Sequence, residues 1–213
     1  MKETTNKIFD ELFIRYPVLE TQKENILKAY SILEETFNNG GSLFVCGNGG
    51  SSADSEHIVG ELLKSFKIYR PINKDITENL KQFGEDGVYL SEKLEGALPA
   101  YSLNSQTAIL TAFANDKSWD TSYAQQLYGL AKKGDCLIAL STSGNSKNCL
   151  YSIYLSKAKG IKSISFTGDG GGNMGKYSDC NIAVPEIETY KVQELHLPVY
   201  HCLCAMLENE FFG

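Results

Sequence analysis

The sequence predicts an α/β protein in which a parallel sheet carries helices on both faces. Three observations lead there. Five short runs rich in apolar and β-branched residues alternate with segments of helical periodicity, the rhythm of βαβ units. The runs are mostly continuous in apolar character, as strands covered on both faces require. Two strand-to-helix junctions are crowded with glycine, serine and asparagine, and an open parallel sheet binds ligands at such ends.

Taken in order, residues 1–40 read as a helical segment. Within 19–38, Ile26, Tyr30, Leu33 and Phe37 recur at spacings of three and four, and "NNGG" ends the pattern. Strands are expected at 42–47, 99–104, 136–141, 162–168 and 181–185. Helices are expected at 52–65, 106–114, 119–132, 147–158 and about 190–211. Residues 67–97 break the rhythm with a charged, mixed segment. It has room for one or two short helices, with bends at Pro71 and the glycines, and is either ordered against the body or a lid.

With 213 residues, 42% of them hydrophobic, the chain can bury one substantial core, and one domain is expected. A formal charge of −6 argues against a nucleic-acid surface, which needs a basic face. The N-terminus lacks an uninterrupted apolar signal, and no run is long and apolar enough to span a bilayer, so a soluble cytoplasmic protein without membrane contact is expected. The six cysteines lie mostly in apolar runs and read as reduced, buried thiols. Cys202 and Cys204, two apart, would point about 200° apart on a helix, which excludes a shared thiolate site for a metal.

The second glycine-serine junction, "STSGNS", sets Ser141, Thr142, Ser143 and Ser146 around Gly144 and Asn145 before a helix. One hydroxyl would suffice as a helix cap. Four, with the helix N-terminus behind them, point to a phosphate site. The first junction, "CGNGGSS", resembles a dinucleotide fingerprint through Gly47, Gly49 and Gly50. Ser52 replaces the third glycine, and no strand ending in an acid follows about 20 residues on, so no nucleotide cofactor is expected. These glycines suit close approach of a ligand to backbone, with Asn48, Ser51 and Ser52 available to sugar hydroxyls or phosphate. "GGGNMGKY" (170–177) matches a phosphate-loop spacing, but Tyr177 stands where a hydroxyl for magnesium is needed. The next strand follows so soon that a tight glycine turn without a helix is expected.

His57 and Glu61, four apart, share a face of the helix after the first junction. The other histidines, His196 and His201, lie in the last helical segment. There Gln193 and His201 fall about 80° apart on a continuous helix. Pro198 either kinks that helix or marks its first turn.

Together, "CGNGGSSADSEHIVGEL", "LTAFAND", "IALSTSGNSKN" and "VQELHLPVYH" resemble the sugar isomerase (SIS) domain, and within it the sedoheptulose 7-phosphate isomerases, also called phosphoheptose isomerases. The resemblance spans most of residues 20–211. It implies a three-layer αβα sandwich and a homotetramer in which N-terminal helices pack and active sites lie between subunits. The implied reaction converts sedoheptulose 7-phosphate to D-glycero-D-manno-heptose 7-phosphate for bacterial surface glycans. By motif, Glu61 would be the base and His201 the acid. Ser141, Thr142, Ser143 and Ser146 would hold the phosphate, assisted by Ser51 or Ser52. Asn48, Gly49, Asn115, Asp116 and Gln193 would line the sugar. A zinc ion would fall to His57, Glu61, Gln193 and His201.

Two positions depart from the family pattern: Gln106 before "LTA" and Tyr190 before the "QE" pair stand where acidic residues are usual. The 67–97 segment is also longer than the family's link. Two other readings stand beside the first: an isomerase of another sugar phosphate, and a non-catalytic SIS protein that binds a partner, like the replication initiator-associating protein, which the chain also resembles in "HCLCAMLENEFF". The latter lacks the functional groups of Glu61 and His201.

Overall fold

The computed structural model describes residues 1–213. Its five strands are β1 (Leu43–Gly47), β2 (Ala100–Ser102), β3 (Cys136–Leu140), β4 (Lys162–Thr167) and β5 (Cys180–Ala183). All pair in parallel, in the order β2-β1-β3-β4-β5. The helices are α1 (Glu3–Arg15), α2 (Lys23–Asn38), α3 (Gly50–Leu63), α4 (Lys74–Leu80), α5 (Gly84–Lys93), α6 (Thr107–Asp116), α7 (Ser122–Leu130), α8 (Lys147–Lys159), α9 (Gly172–Tyr177) and α10 (Thr189–Phe212).

The continuous apolar strands are explained by two dry faces. Side chains alternate along a strand, so Leu43, Val45, Ile138, Leu140, Ile164 and Phe166 join one core with Tyr30 and Leu33 of α2, Ile58 and Leu62 of α3, and Val199 and Leu203 of α10. Phe44, Cys46, Leu137 and Ala139 join the other, under Leu110 of α6, Leu127 of α7 and Ile153 of α8. Each fully buried aliphatic side chain contributes about 1.5–3 kcal/mol of hydrophobic stabilisation, so the sequence commits both faces to helical cover. The result is the expected three-layer αβα sandwich.

Several boundaries differ from the sequence reading. The 19–38 helix opens as a 3-10 turn at Pro17–Gln22, and the 119–132 helix as another at Trp119–Thr121. Residues 172–177 form the helix α9, which the tight-turn reading of "GGGNMGKY" excluded. Three consecutive left-handed glycines, Gly170, Gly171 and Gly172, reverse the chain fast enough to leave room for one and a half turns before β5. Pro198 lies inside a continuous 24-residue α10, not in its first turn. The apolar stripe of α1, Phe9, Leu12 and Phe13, is used within its own chain, against α10. All six cysteines are buried and unpaired.

The 67–97 segment holds two short helices, and of their residues only Gly87 is buried. Its base is tightly tied. Glu208 of α10 accepts the N–H groups of Phe66 and Lys67 at 2.7 Å, that of Ile68 at 3.2 Å, and Arg70 Nε at 2.8 Å. The fully buried Arg70 guanidinium also donates to the carbonyls of Glu61 and Leu62, both at 2.8 Å, which closes the C-terminal end of α3. Gly96 N–H returns to the Arg70 carbonyl at 2.8 Å.

Candidate active site

From β1 the chain moves to β2 on one side and then crosses to β3 on the other. The carboxyl ends of β1 and β3 therefore flank a topological switch point, where a crevice opens. The two glycine-serine junctions occupy these ends.

The first junction is held from below. Asn104 brackets Gly47, accepting its N–H at 3.2 Å and donating to its carbonyl at 2.7 Å, while the Tyr123 hydroxyl donates to the same carbonyl at 2.7 Å. Gly49 takes φ 57° at the exposed turn. Ser51 is buried and Ser52 half-buried in the first turn of α3. A Cβ on Gly50 would come within 2.5 Å of the Gln193 side chain, so the absence of one lets α10 lay Gln193 on the start of α3.

In the second junction the hydroxyls converge. Ser141 Oγ lies 2.9 Å from Ser146 Oγ and 3.4 Å from Ser143 Oγ. Gly144, at φ 64°, turns the chain between them. Ser146 precedes the 13-residue α8, whose opening has no side-chain cap of its own. Hydroxyls and a helix N-terminus on one side of a crevice are suited to an anion. Thr142 is half-buried beside them, and its carbonyl accepts Gly168 N–H at 2.9 Å.

Where α3 meets α10, three further groups come together. His57 Nε2 is 3.1 Å from Glu61 Oε1 and 3.3 Å from His201 Nε2, and Glu61 Oε2 is 3.0 Å from Lys64 Nζ. Burial, followed by the neighbouring His57, holds the His201 imidazole below its usual pKa, with Glu61 opposing. Phe66 lies against His201 with ring centroids 5.4 Å apart. A cavity of about 330 Å³ opens beside His201, lined by Leu12, Arg15, Phe66, Lys67 and Pro198 among others.

The donor types of His57, Glu61 and His201 suit zinc. Tetrahedral ligands with bonds of about 2.0–2.1 Å stand roughly 3.3 Å apart, close to both spacings around His57 Nε2. No three acidic, histidine or cysteine side chains close around one point, however. Glu61 and His201 each face His57 rather than each other, and Gln193 makes no hydrogen bond to any of the three.

Asn115 and Asp116 stand exposed at the C-terminal end of α6, where Asn115 donates to Asp116 at 2.9 Å. They are not brought to the crevice within this chain. Gln106, which precedes α6, and Tyr190 are exposed as well.

Sequence reasoning missed several supports. Asn148, Asn104 and Tyr123 brace the first junction, and Tyr200 contacts His57 while donating its hydroxyl to Asp54. A signal existed for Asp54, three residues before His57 on one helix face. None marked Asn104 or Tyr123, whose roles arise only when β2 and α7 fold beside β1.

Comparison with known proteins is consistent with this geometry. Two SIS domain models match, over residues 14–97 and 99–206. The phosphoheptose isomerase of Akkermansia muciniphila is 34% identical over 198 residues, covering 93% of this chain and 92% of the relative. That of Aliarcobacter butzleri is 36% identical over 193 residues, covering 91% and 89%. Among solved structures, the phosphoheptose isomerase of Francisella tularensis superposes with a TM-score of 0.75 at 25% identity, covering 98% of this chain and all of that one. That of Neisseria gonorrhoeae gives 0.74 at 25% identity, covering 97% and 98%. With its sheet order, its serine-lined crevice and relatives matched over nearly their whole length, the chain belongs to the phosphoheptose isomerase family of SIS-domain proteins.

Proposed function

We infer that the chain is an aldose-ketose isomerase that converts sedoheptulose 7-phosphate to D-glycero-D-manno-heptose 7-phosphate, in the cytoplasm, for heptose units of bacterial lipopolysaccharide or capsule. One observation carries this reading. A carboxylate and an imidazole, Glu61 and His201, meet through His57 where α3, which begins at the serine-lined crevice, packs on α10.

The chemistry is proton transfer. A proton leaves C1 and returns to C2 through an enediol, while a hydroxyl hydrogen passes from O1 to O2. No external oxidant or reductant is needed. Glu61 takes and returns the carbon-bound proton. Its Oε1 faces His57, so Oε2 serves, with Lys64 moving aside. His201 handles the proton on oxygen, since an imidazole can donate through one ring nitrogen and accept at the other. Ser141, Thr142, Ser143 and Ser146 anchor the phosphate with Ser51 or Ser52, and Asn48, Gly49 and Gln193 contact the sugar.

His57, Glu61, Gln193 and His201 would hold zinc. Bound there, it would supply positive charge beside the carbonyl oxygen. A homotetramer with sites between subunits accounts for Asn115 and Asp116. Exposed at the far end of α6, they would contact the sugar of a neighbouring subunit's site. Light scattering on the purified protein tests the assembly.

The decisive experiment supplies sedoheptulose 7-phosphate and other ketose phosphates, with and without zinc, and reads carbonyl position in the product. Turnover of the heptulose, lost in Glu61→Gln and in His201→Asn, is expected. Turnover of a different sugar alone would reassign the substrate. No turnover of any would return the chain to the partner-binding reading, which its retained carboxylate and imidazole disfavour.

A further inference from the structure

We propose that Asp54 and Tyr200 set the tautomer of His57, holding its proton on Nδ1 and leaving Nε2 as a bare lone pair toward Glu61 and His201. The use of that lone pair as a ligand rests on the zinc reading above. The tautomer itself does not.

The geometry is a relay. Asp54 and His57 lie three apart on α3 and face α10. From α10, the buried Tyr200 donates its hydroxyl to Asp54 Oδ1 at 3.1 Å, and the same oxygen lies 3.1 Å from His57 Nδ1. A phenol has one hydrogen. With that hydrogen committed to the carboxylate, His57 Nδ1 meets an oxygen lone pair and must itself be the donor. A neutral imidazole carries a single N–H, so Nε2 is left without one.

Packing keeps this order. The Tyr200 ring stands nearly edge-on to both imidazoles, 5.5 Å from His57 at 72° and 4.9 Å from His201 at 83°.

The consequence falls on Nε2. It faces the Glu61 oxygen at 3.1 Å and the His201 nitrogen at 3.3 Å. An N–H on His201 can satisfy it, but the carboxylate oxygen cannot. The facing lone pairs of His57 Nε2 and Glu61 Oε1, 3.1 Å apart, are what a cation would resolve, and ligand histidines are typically oriented through their second nitrogen. Asp54 and Tyr200 touch no substrate in this account and are positioning residues.

The test uses the full chain with ¹⁵N-labelled histidine. Its three histidines give three ring systems to assign. Nitrogen-edited NMR at mildly alkaline pH should show His57 as the Nδ1–H form in the wild type. In Tyr200→Phe that preference should disappear. In Asp54→Ala the freed phenol proton should turn to Nδ1 and drive the ring to the Nε2–H form. Zinc affinity, read by competition with a chelator, should fall about 10–100-fold in both variants. Metal-free melting temperatures establish that each variant folds. An Nε2–H ring in the wild type, or an unchanged Nδ1–H ring in both variants, overturns the proposal. A wild-type Nδ1–H ring in a protein that takes up no zinc supports the tautomer assignment and sinks the metal reading alone.

Discussion

Asn48 and Asn148 exchange two amide hydrogen bonds, each of 2.8 Å, across the crevice between β1 and β3. The loop after β1 is thereby joined to the first turn of α8, so the two halves of the proposed phosphate grip move as one. Asn148→Ala removes both bonds, each worth about 0.5–1.5 kcal/mol net. KM for the sugar phosphate should rise roughly tenfold while kcat changes little, because Glu61 and His201 sit on α3 and α10. Steady-state kinetics checks this, and an equal loss in kcat would tie the loops to the chemistry instead.

Ser141 is the hub of the second junction, touching both other converging hydroxyls. Ser141→Ala should weaken competitive inhibition by inorganic phosphate about tenfold and leave turnover of unphosphorylated sedoheptulose unchanged. Comparing phosphate inhibition with turnover of the unphosphorylated sugar isolates the anion site.

The Arg70–Glu208 pair is buried at 2.8 Å with both side chains almost wholly inaccessible. Removing one partner of such a pair costs about 3–5 kcal/mol because the other charge is stranded. Arg70→Met should therefore lower the melting temperature by about 10 °C, at about 2–4 °C per kcal/mol for a chain of this size. Calorimetry decides it. A drop of only a degree or two would mean that water reaches Glu208.

His196 is fully buried under β4. Its Nε2–H meets the Thr167 carbonyl at 3.2 Å, and its Nδ1 has no partner. Burial depresses its pKa to about 4 from an ordinary 6.5, with the Thr167 bond opposing. Below pH 6.5 the unfolded chain takes up a proton that the native state refuses, so stability present above that pH is lost as pH falls toward 4. The loss should reach roughly 3 kcal/mol. Urea midpoints measured across this window should fall in the wild type and flatten in His196→Gln.

The five strands and both serine junctions could be read from the sequence because each is a local statement. An apolar run of five residues can be dry only inside a two-faced sheet, and four hydroxyls in six residues exceed what a cap needs. Arg70 could not be read. In a charged segment it looks like a solvated side chain, and only folding brings Glu208, 138 residues away, to neutralise it. Tyr200 was hidden for a similar reason. An aromatic in an apolar helix reads as core, and Tyr200 is core, but its hydroxyl reaches the next helix. The short α9 was missed because three glycines compress a reversal that ordinary residues would need a longer loop to make.

The hydrogen bond from Gly96 to Arg70 has a further consequence. Residues 71–95 leave the body and rejoin it at nearly the same place, with almost nothing of their own buried inside it. In design terms this is a detachable module. Splicing residue 70 to residue 96 through a short glycine bridge should return a shorter protein with its sheet and crevice undisturbed, since closing a smaller loop costs less chain entropy. Whatever the excised arm does would then be missing from an otherwise working enzyme, which makes the arm's own task separable from catalysis.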